Sequence, residues 1–226
     1  MSDTLLFARR YRGPHDSANG GYAAGALARF AGGTAEVTLR LPPPLERPLA
    51  VEGRGGGVVL LDGDALVAEA VPAEVELEAP EAVSAADAHA ASERHVAFGA
   101  ETFRGCFSCG ALREPPDGLC IYPGPVAGRD VVAAPWVARE PSPEVVWAAI
   151  DCSGAYAVGP EGRGEPVLGR MAARIARLPR EGEECVVVGW PRGADGRKLY
   201  AGTALFADGG ELLAVARQTW IQPRVS

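Results

Sequence analysis

Two stretches of this chain run through the same order of elements, and that repetition limits the available folds more than any single motif does. In the first, Ser17 or Asn19 can cap a helix that runs from Gly20 through Tyr22, Ala26 and Leu27 to Phe30 and stops at Gly32-Gly33. Strand patterns follow at 35–41, 49–54, 57–61 and 65–76, separated by Pro42-Pro43-Pro44, Gly55-Gly56 and Asp62-Gly63. Asp62-Gly63 sits between two apolar runs and reads as a hairpin turn. In the second, 118–122 and 130–135 read as strands, and Ser142, Pro143 and Glu144 then open a helix as cap, first residue and first-turn acid. That helix is expected to continue to about Val158, with strands after it at 167–178, 184–190, 198–206 and 212–222. Leu41-Pro42 corresponds to Leu178-Pro179, and Asp62-Gly63 to Asp208-Gly209. One helix with four antiparallel strands, twice, predicts a duplicated α+β protein: one unit over 1–80, a linker over 81–101 with a short solvated helix at 85–94, and a second unit over 102–226.

The 226 residues suffice for two such units with a real core. The formal charge of −7 argues against nucleic acid as a partner, because a binder needs a basic surface to displace counterions. No apolar run is long enough to span a bilayer, and the first residues lack the charge and apolar stretch of a secretory signal, so the expected location is the cytoplasm.

Asp151 stands in the most apolar helix of the chain, with Trp147 four residues before it and Gly154 three after it on one face. A carboxylate buried there must find hydrogen bonds or accept a raised pKa, and could serve as a base; otherwise it points to a helix edge and caps a loop. Gln218 shares a strand face with Ala216 and Trp220. If that face covers the helix, Gln218 approaches Asp151 and could orient a water; its alternative is an amide pairing with backbone. Asn19, Gly20 and Gly21 leave first-turn amides unobstructed, which suits a carbonyl or an anion as well as it suits tight packing.

Five cysteines, an odd number, do not form a disulfide framework in a chain of this size and are expected to be reduced. Cys106-Phe107-Ser108-Cys109, with His89 and His95 before it, has the ligand types of a zinc site but not their usual tight order, and a plain thiol pair in a turn is the reading adopted, with no metal. No serine–histidine–acid array, phosphate loop or dinucleotide fingerprint is present.

Three stretches together resemble the hotdog-fold thioesterase superfamily. Asn19-Gly20-Gly21-Tyr22-Ala23-Ala24 resembles the His-Gly-Gly-Tyr opening of the first central helix in double-hotdog acyl-CoA thioesterases. Cys106-Phe107-Ser108-Cys109-Gly110 with Gly118-Leu119 is similar to the C-F-x-C-G…G-L segment that begins the unit in small bacterial thioesterase-like proteins. Trp147-Ala148-Ala149-Ile150-Asp151 is similar to the helix segment that carries the family's catalytic acid, and Gln218 falls near its last-strand glutamine. The resemblance implies a tandem hotdog, each half a long central helix wrapped by a curved antiparallel sheet. It also implies hydrolysis of an acyl thioester carried on coenzyme A or acyl carrier protein, with Asp151 as general base or nucleophile, Gln218 positioning water or carbonyl, and substrate contacts from Asn19, Gly20, Gly21, Trp147, Gly154 and Gly169.

The departures are as specific. Ala28 stands where the first half would carry an acid, Asn19 replaces the histidine, and Gly169 stands where a hydroxyl residue would complete the triad. These favour a rival reading, a non-catalytic acyl-thioester or lipid binding module on the same fold. A zinc-stabilised interaction protein is a third reading. No cofactor is implied beyond coenzyme A as part of the substrate, and a homodimer stays open.

Overall fold

A computed structural model describes residues 3–97, 101–159 and 165–223. Residues 98–100 of the expected linker, 1–2 and 224–226 at the ends of the expected units, and 160–164 lie outside the described residues. The elements, in order, are β1 (Asp3–Leu6), α1 (Gly20–Ala28), β2 (Ala35–Leu39), β3 (Pro48–Arg54), β4 (Gly57–Asp62), β5 (Ala65–Pro72), α2 (Ala85–Ser92), β6 (Gly124–Pro125), β7 (Val132–Val137), α3 (Pro143–Ala149), α4 (Cys152–Val158), β8 (Val167–Ile175), β9 (Glu184–Asp195), β10 (Lys198–Ala207) and β11 (Leu212–Ile221).

All eleven strands form one sheet in the order β1-β3-β4-β5-β2-β8-β11-β10-β9-β7-β6, with antiparallel pairing throughout. The order is a palindrome about the β2–β8 junction: β3-β4-β5-β2 on one side answers β8-β11-β10-β9 on the other. The junction pairs Ala35 with Ala173 and Val37 with Met171, all buried. Across it Arg170 donates to Thr38 Oγ1 at 3.0 Å and Arg217 to Glu36 at 2.9 Å. Each of these two strands would otherwise be an exposed edge, so their pairing removes a site for stray association. The Asp62-Gly63 and Asp208-Gly209 turns both fall where expected, between β4 and β5 and between β10 and β11.

The helices fill the concave side of the sheet. Asn19 Oδ1 caps α1 by accepting from the Tyr22 amide at 2.8 Å, and the following turn of 3₁₀ helix ends at Gly32, whose φ of +75° few side chains tolerate. Gly21 and Gly25, one turn apart, face α3. A Cβ on Gly21 would lie 2.6 Å from the Asp151 Cβ and the Trp147 carbonyl, and one on Gly25 would lie 2.8 Å from the Trp147 Cβ and 3.0 Å from the Glu144 Cα. Side chains and backbone of 144–151 therefore pack directly on the backbone of α1.

Three expectations need correction. The helix predicted to run unbroken to Val158 is two helices, because Ile150 leaves the helical path with φ of −91° and ψ of +7°. In a regular helix Ile150 O would accept from the Gly154 amide; here Gln218 Nε2 takes Ile150 O at 2.8 Å, and the Gly154 amide turns to Asp151 O at 3.0 Å. A side chain inserted into the ladder is a recognised cause of a kink. Residues 118–122 are not a strand: the Leu119 and Ile121 amides donate to Phe107 O and Ser108 O, so the segment lines the Cys106–Cys109 turn. The helix between the halves is at the expected place, capped by Ser84, but it is not solvated all round. Ala88 and Ala91 are buried with Val126, Ala133, Val186 and Phe206, against the convex side of the C-terminal strands.

The helix crossing gives the first prediction. Gly25→Ala gains about 1 kcal/mol of helix propensity, but overpacking a filled interface costs about 1–3 kcal/mol, and the Glu144 Cα cannot rotate away. The urea midpoint is expected to fall; an unchanged or higher midpoint would mean that α1 and α3 separate freely.

Candidate active site

Asp151 is 2% exposed, held at the helix break against the first turn of α1. Its Oδ2 accepts from the Gly21 amide at 3.0 Å and from Asn19 Nδ2 at 3.0 Å. Its Oδ1 is buried with no hydrogen-bond partner among the described residues. Burial pushes the carboxyl up to about 7; the Gly21 amide pulls the other way, the Cys106 sulfur adds to the rise, and Asn19 opposes it. The positive end of α1 is worth about 0.3–1 kcal/mol to an anion, too little to cancel desolvation.

A cavity of about 320 Å³ opens at this point, within the range of about 300–1,000 Å³ common for small-molecule sites. Asp151, Asn19, Gly20 and Gly169 line it, together with Leu168 and Trp220. Gly21 binds Asp151, and the Tyr22 amide is taken by Asn19 Oδ1. The Asn19 amide donates to Tyr11 O at 2.8 Å, which leaves Gly20, whose N–H has no partner among the described residues.

Gln218 reaches the helix break but turns its amide to the protein. Nε2 donates to Ile150 O and, at 3.2 Å, to Thr203 Oγ1, while Oε1 accepts from Trp220 Nε1 at 2.8 Å. It holds the kink that presents Asp151 and lines neither cavity. Gly154 is where Gln218 passes: a Cβ there would lie 1.7 Å from Gln218 Oε1. Trp147 packs on Gly25 and also lines neither cavity. A larger cavity of about 380 Å³ lies against the Tyr11 and Tyr22 rings, which stack at 3.9 Å; Asp151 does not line it.

The sequence reading missed two neighbours of the acid. Ser108, fully buried, donates to Ala148 O at 2.7 Å and accepts from Asn19 at 3.3 Å. Cys152 joins Cys106 and Cys109, their sulfurs all within 4.8 Å of one another on the cavity wall. Cys106 Sγ lies 3.8 Å from Cys152 Sγ, a contact in which either thiol can donate; hydrogen bonding to Cys109 and Cys152 holds the Cys106 thiol low against its burial, and hydrogen bonding to Cys106 pushes the Cys109 and Cys152 thiols up. The adjacency of Cys152 to Asp151 was the one local signal. Neither histidine joins: His95 bonds Pro123 O and lies on the Tyr156 ring, and His89 is exposed on α2.

Several chains of known structure share this architecture over most of their length. A conserved hotdog-fold protein of unknown function from Alicyclobacillus acidocaldarius superposes with a TM-score of 0.62 at 12% identity, over 99% of this chain and 93% of its own. The tesB protein of Mycobacterium avium subs paratuberculosis gives 0.62 at 16% over 98% and 92%, and the acyl-CoA thioesterase II TesB2 of Mycobacterium marinum gives 0.54 at 13% over 86% and 81%. No protein-family model and no curated protein sequence matches. The chain thus has the hotdog fold, as α+β elements around one large antiparallel sheet. Among the described residues no helix is long and apolar enough to cross a membrane.

The kink gives a second prediction. Gln218→Met keeps length but leaves Ile150 O, Trp220 Nε1 and the Thr203 hydroxyl without these partners, each loss costing about 1–3 kcal/mol. Stability is expected to fall by about 3 kcal/mol or more, with a changed tryptophan near-ultraviolet signal; a neutral result would show that the helix kinks without Gln218.

Proposed function

We propose that this chain is a tandem hotdog enzyme, with units at 1–80 and 102–226, that hydrolyses the thioester of an acyl group carried on coenzyme A or acyl carrier protein. The observation that carries the reading is Asp151: a buried carboxylate on the wall of a partly apolar cavity, fixed through Oδ2 and unpaired at Oδ1. Asp151 Oδ1 takes a proton from a water in the cavity, the resulting hydroxide attacks the thioester carbon, and the thiol leaves with the proton. Direct attack by the carboxylate, giving an anhydride that water then opens, uses the same atom. The Gly20 amide at the start of α1 is placed to polarise the carbonyl oxygen. Asn19 and Gly21 orient the acid, and Gln218 holds the kink beneath it.

One observation favours a second reading. Gly169 on the cavity wall offers no hydroxyl, and Gln218 has its amide committed, so the cavity could hold an acyl thioester without cleaving it.

Hydrolysis of short, medium, long and aromatic acyl-CoA substrates, followed by thiol release, separates the two. Asp151→Asn preserves size and one acceptor for the Gly21 amide, so the fold should persist while the rate falls by about 10²–10⁴-fold, the usual worth of a positioned proton acceptor. Full activity in that variant would remove Asp151 from the mechanism. Binding without turnover in the parent chain, across the panel, would favour the binding module.

A further inference from the structure

We infer that Cys106, Cys109 and Cys152 form a zinc site of three thiolates whose fourth position faces the cavity of Asp151. The inference rests on where the sulfurs are and on the turn that carries two of them, and it holds whether or not the chain hydrolyses thioesters.

Cys106 and Cys152 are 46 positions apart in sequence, on a loop and on α4, yet their sulfurs lie 3.8 Å apart, and Cys109 completes a set within 4.8 Å. A tetrahedral zinc ion with bonds of about 2.3 Å sets its sulfurs about 3.8 Å from each other, whereas a disulfide needs about 2.05 Å. Buried thiols can also be small apolar fillers, so distance alone does not decide. The turn does more. It brings the buried Cys106 and Cys109 sulfurs, three positions apart in sequence, within 4.8 Å of each other. Gly110 closes the turn against the Cys106 backbone: its amide donates to Cys106 O at 2.9 Å, and a Cβ there would lie 2.5 Å from Cys106 N and O. The Leu119 and Ile121 amides fasten the next segment to Phe107 O and Ser108 O. The backbone is thus braced on two sides of the two sulfurs, more than packing a pair of thiols requires.

Three uncharged thiols bind the divalent ion by losing three protons to solvent, with one Zn–S bond formed for each S–H broken. All three cysteines line the 320 Å³ cavity, and among the described residues no histidine or carboxylate joins the cluster. The fourth ligand is therefore an exchangeable one from the cavity, a water or a thiol. Zinc suits the set because soft thiolates favour it over magnesium or calcium and a d¹⁰ ion accepts the geometry that the fold imposes.

The test uses the full chain, purified under reducing conditions without chelator or affinity metal, then equilibrated with zinc and desalted. About one zinc per chain is expected, with loss of most of it in Cys109→Ser and in Cys152→Ser and retention in Cys120→Ser and Cys185→Ser. Because the first two variants could fail to fold, the unaltered chain is also stripped with a chelator and titrated with cobalt(II). Saturation at one equivalent, with thiolate-to-cobalt charge-transfer absorption, supports the site. So does zinc protection of Cys106, Cys109 and Cys152, but not Cys120, from alkylation mapped by mass spectrometry. Substoichiometric metal with unmoved alkylation, or metal kept in folded Cys109→Ser and Cys152→Ser variants, overturns it.

Discussion

At the crossing with α3, Gly21 and Gly25 offer no side chains of their own, so Asp151 and Trp147 pack directly on the backbone of α1, and the meeting of Asp151 with the start of that helix depends on this closeness. Because Gly21 has no Cβ, the Asp151 carboxylate can approach the first turn of α1 until it meets an amide that the helix cannot use internally. A longer residue at 21 would push α1 off α3, and Asp151 would lose the Gly21 amide and Asn19 together. The same contact joins the two halves of the sheet from the inside, while β2 and β8 join them at the edge.

Burying a carboxylate is expensive unless its oxygens are paired. Here only one is, and the competition shows in the acid's raised affinity for a proton: desolvation outweighs the Gly21 amide and the Asn19 amide combined. A structural ion pair would have filled both oxygens. Leaving Oδ1 buried and unpaired, in a residue that lines a cavity, is a local defect, and such defects in an otherwise satisfied core mark places where a ligand or water completes the structure. Gln218 has the opposite character, with donor and acceptor both engaged, and its contribution is geometric.

Much of the fold was legible because its signals are local. The cap of the first helix at Asn19, one of two candidates, the Ser142 cap and the Asp-Gly turns each act within a few residues, and all fell where the chain implied. What escaped depends on contacts between distant segments. The break at Ile150 contains no proline or glycine; it arises because Gln218, 68 residues later, competes for one carbonyl. Residues 118–122 have the apolar run of a strand, but their amides are spent on the Cys106–Cys109 turn. Of the site, Asp151, Asn19, Gly20 and Gly21 were recognisable as candidates, yet that Asn19 and Gly21 serve the acid itself depends on the helix crossing. Likewise Cys106 and Cys109 suggested histidine partners by proximity in sequence, whereas the third sulfur is next to the acid.

The palindromic sheet places two helix starts and two helix middles in related positions, so a symmetric ancestor of this plan would have two equivalent sites. This chain cannot. Nine residues beyond the Ser142 cap is Asp151; nine beyond the Asn19 cap is Ala28, which has no group to ionise. The helix starts differ in the complementary sense. The first supplies Gly20 and Gly21 amides, whereas the second begins with Pro143, which has no N–H to give and would clash with a close carboxylate. Acid and receiving amide are thus both absent from the same one of the two positions. The thiol cluster adds to the asymmetry, since two of its cysteines sit on the 106–109 turn and its sulfurs line the cavity that Asp151 also lines. Whatever binds in that cavity meets an acid, a helix start and three sulfurs together, and meets none of that combination at the pseudo-equivalent end.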